Sequence, residues 1–439
     1  MNRIINKIEK KDIYTIGYVA ITVLCLLILL FNIILSHGEL ISHYFFYDTA
    51  DTGMDFFHSI EYVNGRAPYD LFNTLYPPLA NLFFYIVFYC IPMSVSNNWP
   101  MDFKESVLMR RTEYDLRVYQ APMLVFIMFI ILSIVVTICI ALSVLEKYDI
   151  TIRKSVIFCI VFSYGFLMAA ERGNIVLIVI PLTMFFVFFY DSDNKIIREL
   201  SYVLLAMAAG LKLYPAFFGL LLIKDKKWGA AIRTVIYGVL SIILPVIFFK
   251  ERLAGIITWL KVVFDFNKES MQPWIGNGCS NLLHDYQHFM GLFNLTVSDS
   301  YFGIISIIIV CLLLIIALFE NKRWKSILLI TLAVCLFQSQ GEYIFSFFVI
   351  PMIAFLVEQQ EFEGKYILPY ICMVLLNAPI PVFYIKDELY PRNTIIHAIY
   401  TALIIWGIID IIYQLKHTNK GIRQRGENKN EQLGKSATD

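Results

Sequence analysis

The sequence predicts an all-α fold: a polytopic transmembrane helical bundle. Three observations carry that prediction. The 439 residues are 58% hydrophobic and only 16% charged, with a mean hydropathy of +0.66, whereas a soluble domain would hold about a quarter charged residues. Apolar runs long enough to cross ~30 Å of hydrocarbon recur from end to end. The net charge is +1, so no basic balance points to nucleic acid, and the informative charge is local, in the segments between the runs.

The first element is an anchor. Arg3, Lys7, Lys10 and Lys11 precede an apolar run from about Ile13 to Leu35. The run is too long for a signal-peptide core, and it ends in Ser36-His37-Gly38-Glu39 with no small-x-small cleavage site. It reads as a retained signal anchor with its basic end in the cytoplasm. Length and punctuation place spans near 14–36, 77–95, 121–144, 155–170, 175–190, 200–222, 234–250, 303–319, 326–341, 344–357, 367–384 and 395–414. Several fall short of the ~20 residues of a perpendicular helix, so half-helices or hairpins are expected among the roughly twelve. Residues 1–414 make a single membrane domain, and residues 415–439, rich in Lys, Arg, Asn and Glu, are expected as a disordered cytoplasmic tail.

Two loops are too long to be plain connectors: 37–76, and 251–302 with Trp259, Asp265, Trp274, Asn277, His284, Asp285 and His288. Twelve simple crossings put both on the extracytoplasmic side. Lys224, Lys226, Lys227 and Arg233, then Lys322, Arg323 and Lys325, fall inside, as the positive-inside rule requires. Lys147, Arg153 and Lys154 fall outside and Arg172 inside, so the region 96–200 holds a re-entrant element or a weak charge bias. The eight cysteines lie almost all in apolar runs with no paired spacing, which argues against a disulfide framework or a zinc site.

The candidate chemistry starts in the first loop, in Asp51-Thr52-Gly53-Met54-Asp55 with Asp48 one turn upstream. Carboxylates at a membrane edge are costly to desolvate. On a helix Asp51 and Asp55 would share a face and could pair a general base with a metal or an orienting partner; alternatively Asp51 caps a short helix running through Glu61. Gly53 argues for a bend between them. Glu171-Arg172-Gly173-Asn174 interrupts an apolar stretch, and its guanidinium needs either Glu171 as a structural partner or a phosphate. Lys212 stands mid-run between Gly210 and Pro215, where an ammonium costs ~2.5–3.5 kcal/mol unless it pairs or faces a polar cavity. His284 and His288 are spaced to share a metal on one helical face, but no third ligand is evident. Gln338-Ser339-Gln340-Gly341-Glu342 is a polar turn or part of a sugar pocket. No phosphate-cradling glycine loop and no nucleophile elbow occurs, so soluble-nucleotide chemistry has no support.

Together these segments resemble glycosyltransferase family 87. Its first-loop pattern is similar to Asp51 followed by Gly65-Arg66-Ala67-Pro68-Tyr69 and Tyr76-Pro77-Pro78-Leu79. Arg172-Gly173-Asn174 and Lys212-Leu213-Tyr214-Pro215 resemble two further family segments, with a looser echo in Asn277-Gly278-Cys279-Ser280. The resemblance implies a GT-C fold whose first extracytoplasmic loop supplies a catalytic aspartate. It also implies a polyprenyl-phosphate sugar donor, commonly mannose, and inversion at the anomeric carbon. Asp51 and Asp55 are then the catalytic pair, and Lys212 and Arg172 the donor-phosphate cations. Asp48, Tyr76, Asn174, Tyr214, Asn277 and His284 contact substrate. The acceptor is a glycolipid, a glycan or a protein; a divalent cation is admitted without an assigned ligand set, and membrane lipids are the remaining partners. The rival readings are a polytopic transporter and a lipid-linked glycan flippase or polymerase. Matched broken helices in two pseudo-symmetric halves would favour a transporter, and none is evident.

Overall fold

The structure is a computed structural model that describes residues 13–38, 52–92, 116–269, 282–283, 286–287, 301–337, 341–359, 362–380 and 391–435. Every regular element among them is helical. In chain order the α-helices are α1 Ile13–Leu35, α2 Met54–Tyr62, α3 Pro68–Phe72, α4 Pro78–Phe88, α5 Gln120–Val144, α6 Ile150–Val161, α7 Tyr164–Arg172, α8 Val176–Phe189 and α9 Lys195–Leu211. There follow α10 Leu220–Lys224, α11 Trp228–Ile243, α12 Arg252–Glu269, α13 Phe302–Phe319, α14 Arg323–Phe337, α15 Val349–Glu358, α16 Ile367–Asn377 and α17 Pro391–Lys435. Among the described residues five helices are long and apolar enough to cross a membrane, and the bent pair α6–α7, with a 51° angle between its halves, makes six. The other expected spans are shorter helices. Leu24, Leu27 and Phe31 on α1, and Leu124, Met128 and Leu132 on α5, are exposed, the outward apolar surface that a bilayer solvates.

The bundle has two chemically distinct ends. At one, Lys325 pairs with Asp410 and lies 3.8 Å from Glu320. There the Glu358 carboxylate accepts the Trp324 backbone N–H at 2.8 Å and the Tyr190 hydroxyl donates to Asp225 at 2.7 Å. Lys224, Lys227, Lys322 and Arg323 gather at the same end. Trp324 knots this end together: it is buried, edge-on to Phe355 at 4.9 Å and stacked on Trp406 at 5.8 Å. At the other end lie the first-loop helices α2 and α3, the break after α7 and the break after α9.

This arrangement corrects the simple threading. The stretch 77–95 does not behave as a crossing. Helix α4 has 11 residues, about 16 Å at 1.5 Å per residue. Its Tyr85 already lies beside Phe249 and Arg66, and the Arg117 guanidinium, further along the chain, donates back to the Thr52 carbonyl at 2.9 Å. The run 200–222 divides instead. Helix α9 ends at Leu211, Lys212 is extended with φ −148° and ψ 131°, and a 3-10 turn Tyr214–Gly219 leads into α10. Helix α5 therefore descends to the charged end, where the Tyr148 hydroxyl donates to Leu356 O at 2.8 Å. The chain climbs back through α6 and α7, so Arg172 emerges beside the first loop. Lys147, Arg153 and Lys154 thus join Lys224, Lys227, Lys322, Arg323 and Lys325 at the charged end.

The two long loops also carry structure. Loop 37–76 contains α2 and α3, and 251–302 begins with the 18-residue helix α12. Residues 415–435, expected as a disordered tail, continue α17 as helix; Lys, Arg, Gln and Glu are good helix formers and no proline interrupts them.

Candidate active site

Asp48, Asp51, Asn277 and His284 lie outside the described residues. The other expected site residues converge on one cavity of about 330 Å³, walled by Asp55, Tyr76, Asn174, Lys212, Tyr214 and Tyr343 among others. Arg172 stands behind Asp55.

Asp55 is held in place by backbone geometry at two glycines. Gly53 takes φ +74° as the N-cap of α2 and donates its N–H to Glu171 O at 2.9 Å, so the start of α2 docks on the end of α7. The cap is glycine, with no side-chain capping bond, and not Asp51. Gly173 ends α7 with φ +63°, and a Cβ there would lie 2.5 Å from Phe126 and 2.7 Å from Phe56. A glycine in the left-handed region is the ordinary way to end a helix. Here it turns both flanking side chains onto Asp55. Arg172 Nε donates to Asp55 Oδ2 at 3.0 Å and its Nη2 to Oδ1 at 2.9 Å. Asn174 Nδ2 donates to Oδ2 at 2.6 Å, while its Oδ1 accepts the Val176 N–H at 3.0 Å. That second bond fixes which way the Asn174 amide faces, with its nitrogen toward Asp55.

The pair is bidentate, and each side chain is about one-fifth exposed. Burial pushes the Asp55 carboxyl up, but Arg172, Asn174 and the nearby Lys212 outweigh it and hold it below the ordinary carboxylate value. Asp55 is therefore a fixed negative charge with both oxygens engaged, a poor proton acceptor. The partner of Arg172 is thus Asp55, 117 positions away in sequence.

Lys212 has no hydrogen bond or ion pair among the described residues. Its Nζ lies over the Tyr76 ring at 4.5 Å and the Tyr343 ring at 5.7 Å. The Tyr76 backbone is stapled. Its carbonyl accepts from the Tyr69 hydroxyl at 3.1 Å and Asn81 Nδ2 at 3.2 Å, and its N–H donates to Thr74 Oγ1 at 3.3 Å. Trp259 on α12 donates to Leu75 O at 3.1 Å, tying the second long loop onto the first. Gly65-Arg66-Ala67-Pro68-Tyr69 serves the same docking. Arg66 Nε donates to Phe248 O at 2.8 Å, and Glu251 accepts the Tyr69 and Asp70 N–H groups at 3.0 and 3.2 Å. A carboxylate at the start of α3 satisfies donors that a helix leaves unpaired. The buried Tyr214 hydroxyl has no hydrogen-bond partner among the described residues.

Sequence reasoning missed Tyr343, His58, Ser59, Tyr62 and Val263 in the cavity wall. Tyr343 was within reach, because it directly follows the Gln338–Glu342 stretch singled out as a polar turn or pocket segment. Among the described residues no group of three His, Cys, Asp or Glu side chains is placed to hold a metal.

Residues 74–339, well over half of the chain, match the family model of glycosyltransferase family 87. The chain belongs to glycosyltransferase family 87. It is a membrane glycosyltransferase that moves a sugar from a donor to an acceptor. The family 87 match contains Tyr76, Arg172, Asn174, Lys212 and Tyr214; Asp55 lies upstream of it and Tyr343 downstream. No curated protein and no solved structure matches the chain.

Proposed function

We propose that this family 87 enzyme transfers a hexose, most simply mannose, from a polyprenyl-phosphate sugar to an extracytoplasmic acceptor, with inversion at the anomeric carbon. The observation that carries the reading is the presence of Lys212 and Asp55 in the wall of one cavity. Lys212 is a cation whose N–H donors are uncommitted, and Asp55 is an ionised carboxylate fixed on the opposite side of its charge balance.

In the reaction an acceptor hydroxyl attacks the anomeric carbon, the bond from that carbon to the phosphate oxygen breaks, and polyprenyl phosphate leaves with the bonding pair. Charge grows on the phosphate, where Lys212 stabilises it. The positive character that develops on the sugar faces Asp55. The hydroxyl proton goes to a carboxylate, and Asp51, close in sequence to the engaged Asp55, takes that role. The committed oxygens of Asp55 leave it as the orienting charge, with Arg172 and Asn174 as its holders. A donor-phosphate role for Arg172 would require Asp55 to release it. Asp48, Tyr76, Asn174, Tyr214, Asn277 and His284 remain as sugar or acceptor contacts.

Sidedness follows from the charge distribution. The basic residues collected at the end opposite the cavity favour that end as cytoplasmic, in a plasma-membrane protein with the cavity facing outward. On this reading the chain traverses about twelve times, with α4 packed at the outer end and 195–224 forming two passes. The acceptor is a glycolipid, a glycan or a protein, and a divalent cation held by Asp51 or Asp48 is compatible with the chemistry.

Lys212→Met is the test. The variant is expected to fold normally, because no carboxylate is stranded in hydrogen-bond contact, while raising the donor KM and lowering kcat. A folded variant with unchanged donor kinetics overturns the phosphate role.

A further inference from the structure

We infer that Tyr343 is a positioning residue for Lys212, acting with Tyr76 as an aromatic cage; this rests on the reading that Lys212 meets a donor phosphate.

The geometry points to a cage by how the two rings are mounted. Tyr76 lies ahead of α4, with its backbone fixed on both sides by Tyr69, Asn81 and Thr74. Tyr343 comes from a different part of the chain, at the start of the 3-10 segment Glu342–Phe348. That segment lies against α7 at Gly165, where a Cβ would be 2.7 Å from Phe345 C and would collide with the Ser346 backbone nitrogen. Gly341, just before it, is equally constrained, since a Cβ there would be 2.6 Å from the Tyr343 ring. Tyr343 and Asn174 share the wall of the cavity, and Asn174 in turn holds Asp55. One tyrosine therefore stands where both halves of the site meet, its ring 5.7 Å from the ammonium and in the same cavity wall as Asp55 and Asn174.

A ring face attracts an ammonium through its quadrupole without taking up an N–H donor. A carboxylate partner would have cancelled the charge and occupied the donors. Two rings at 4.5 and 5.7 Å restrain Nζ and leave its hydrogens for an anionic oxygen entering the cavity. Tyr343 thus supplies what a phosphate-binding lysine at a membrane edge needs, a full charge held in one place.

The experiment measures binding of farnesyl phosphate, a short isoprenyl phosphate, to the purified full-length protein in detergent. The panel comprises wild type, Lys212→Met, Tyr343→Leu, Tyr343→Phe, and protein with phenylalanines of increasing ring fluorination at position 343. Tyr343→Leu is expected to weaken binding by about 2- to 30-fold, the range of one cation–π contact. Tyr343→Phe recovers most of that loss, because it keeps the ring. Fluorination drains the ring face at nearly constant shape, so affinity should fall stepwise with each added fluorine even where the leucine variant fails to fold. A flat fluorination series, with Lys212→Met strongly weakened, overturns the cage and leaves the phosphate reading standing. Unchanged binding in Lys212→Met overturns both.

Discussion

Removing either partner of the Asp55–Arg172 pair takes from the other its bidentate, oppositely charged neighbour in a largely buried site. Loss of one member of a buried ion pair costs about 3–5 kcal/mol, and the partial exposure here sets the expectation near the lower figure. Asp55→Asn should therefore lower the thermal unfolding midpoint in detergent as well as turnover, and Asp55→Asn combined with Arg172→Gln should recover part of the stability while activity stays low. Full additivity of the two losses would contradict the pairing. The same carboxylate sets an acid limb. Its folded-state pKa lies below its unfolded value, so its stabilisation is complete above the ordinary carboxylate range of about 4 and is lost as pH falls through the folded value. Unfolding midpoints measured from pH 6 to pH 3 should fall more steeply for wild type than for Asp55→Asn. Lys212 was legible in the sequence because an ammonium deep in an apolar run demands an explanation. The partner of Arg172 was not, since 117 residues separate it from Asp55 and a neighbouring Glu171 offered a cheaper answer. Tyr343 is one of 26 tyrosines; the polar stretch Gln338–Glu342 before it hinted at a pocket, but not at a ring facing Lys212.

Two helix ends do the positioning, and each depends on a glycine. Gly173 sits at φ +63° with Phe126 and Phe56 against its missing side chain, so Gly173→Ala is strained in backbone and in packing at once. A loss of more than about 1 kcal/mol is expected, beyond the ordinary penalty for a side chain in the left-handed region, together with reduced turnover as Arg172 and Asn174 swing from Asp55. Near wild-type stability and turnover would show that the turn does not set the site. Gly165→Ala should act through a different route, by prising α7 from the segment that carries Tyr343. Hydropathy located most of these elements, and the polar residues of Lys212-Leu213-Tyr214-Pro215 marked a real helix break. It took 77–95 for a crossing, because the mostly apolar stretch after Tyr76-Pro77-Pro78 scores like the start of one. Only the contact of Arg117 with Thr52 reveals that residue 117 lies at the same end as the first loop.

At the scale of the molecule, Lys224, Lys227, Lys322, Arg323 and Lys325 gather at one end of the described residues and the cavity lies at the other. A membrane-impermeant thiol reagent applied to intact cells should label Asp70→Cys, exposed beside the cavity, and spare Lys226→Cys until the membrane is permeabilised, both in a cysteine-free background. Labelling in the reverse order would invert the membrane orientation. The fold class was legible from composition alone, and family membership accords with motifs whose order and spacing the sequence displays. What composition could not supply was parity: one omitted crossing decides whether Arg172 and Asp55 meet, and the break after Leu211 puts Lys212 in the same cavity as Asp55. The central claim is that the cavity uses a polyprenyl-phosphate sugar, and it is tested most directly by supplying purified enzyme and a membrane acceptor fraction with radiolabelled polyprenyl-phosphate mannose or with labelled nucleotide sugars. Label should pass to the acceptor from the polyprenyl-phosphate donor and be lost with Lys212→Met; transfer from a nucleotide sugar with none from the lipid donor would contradict it.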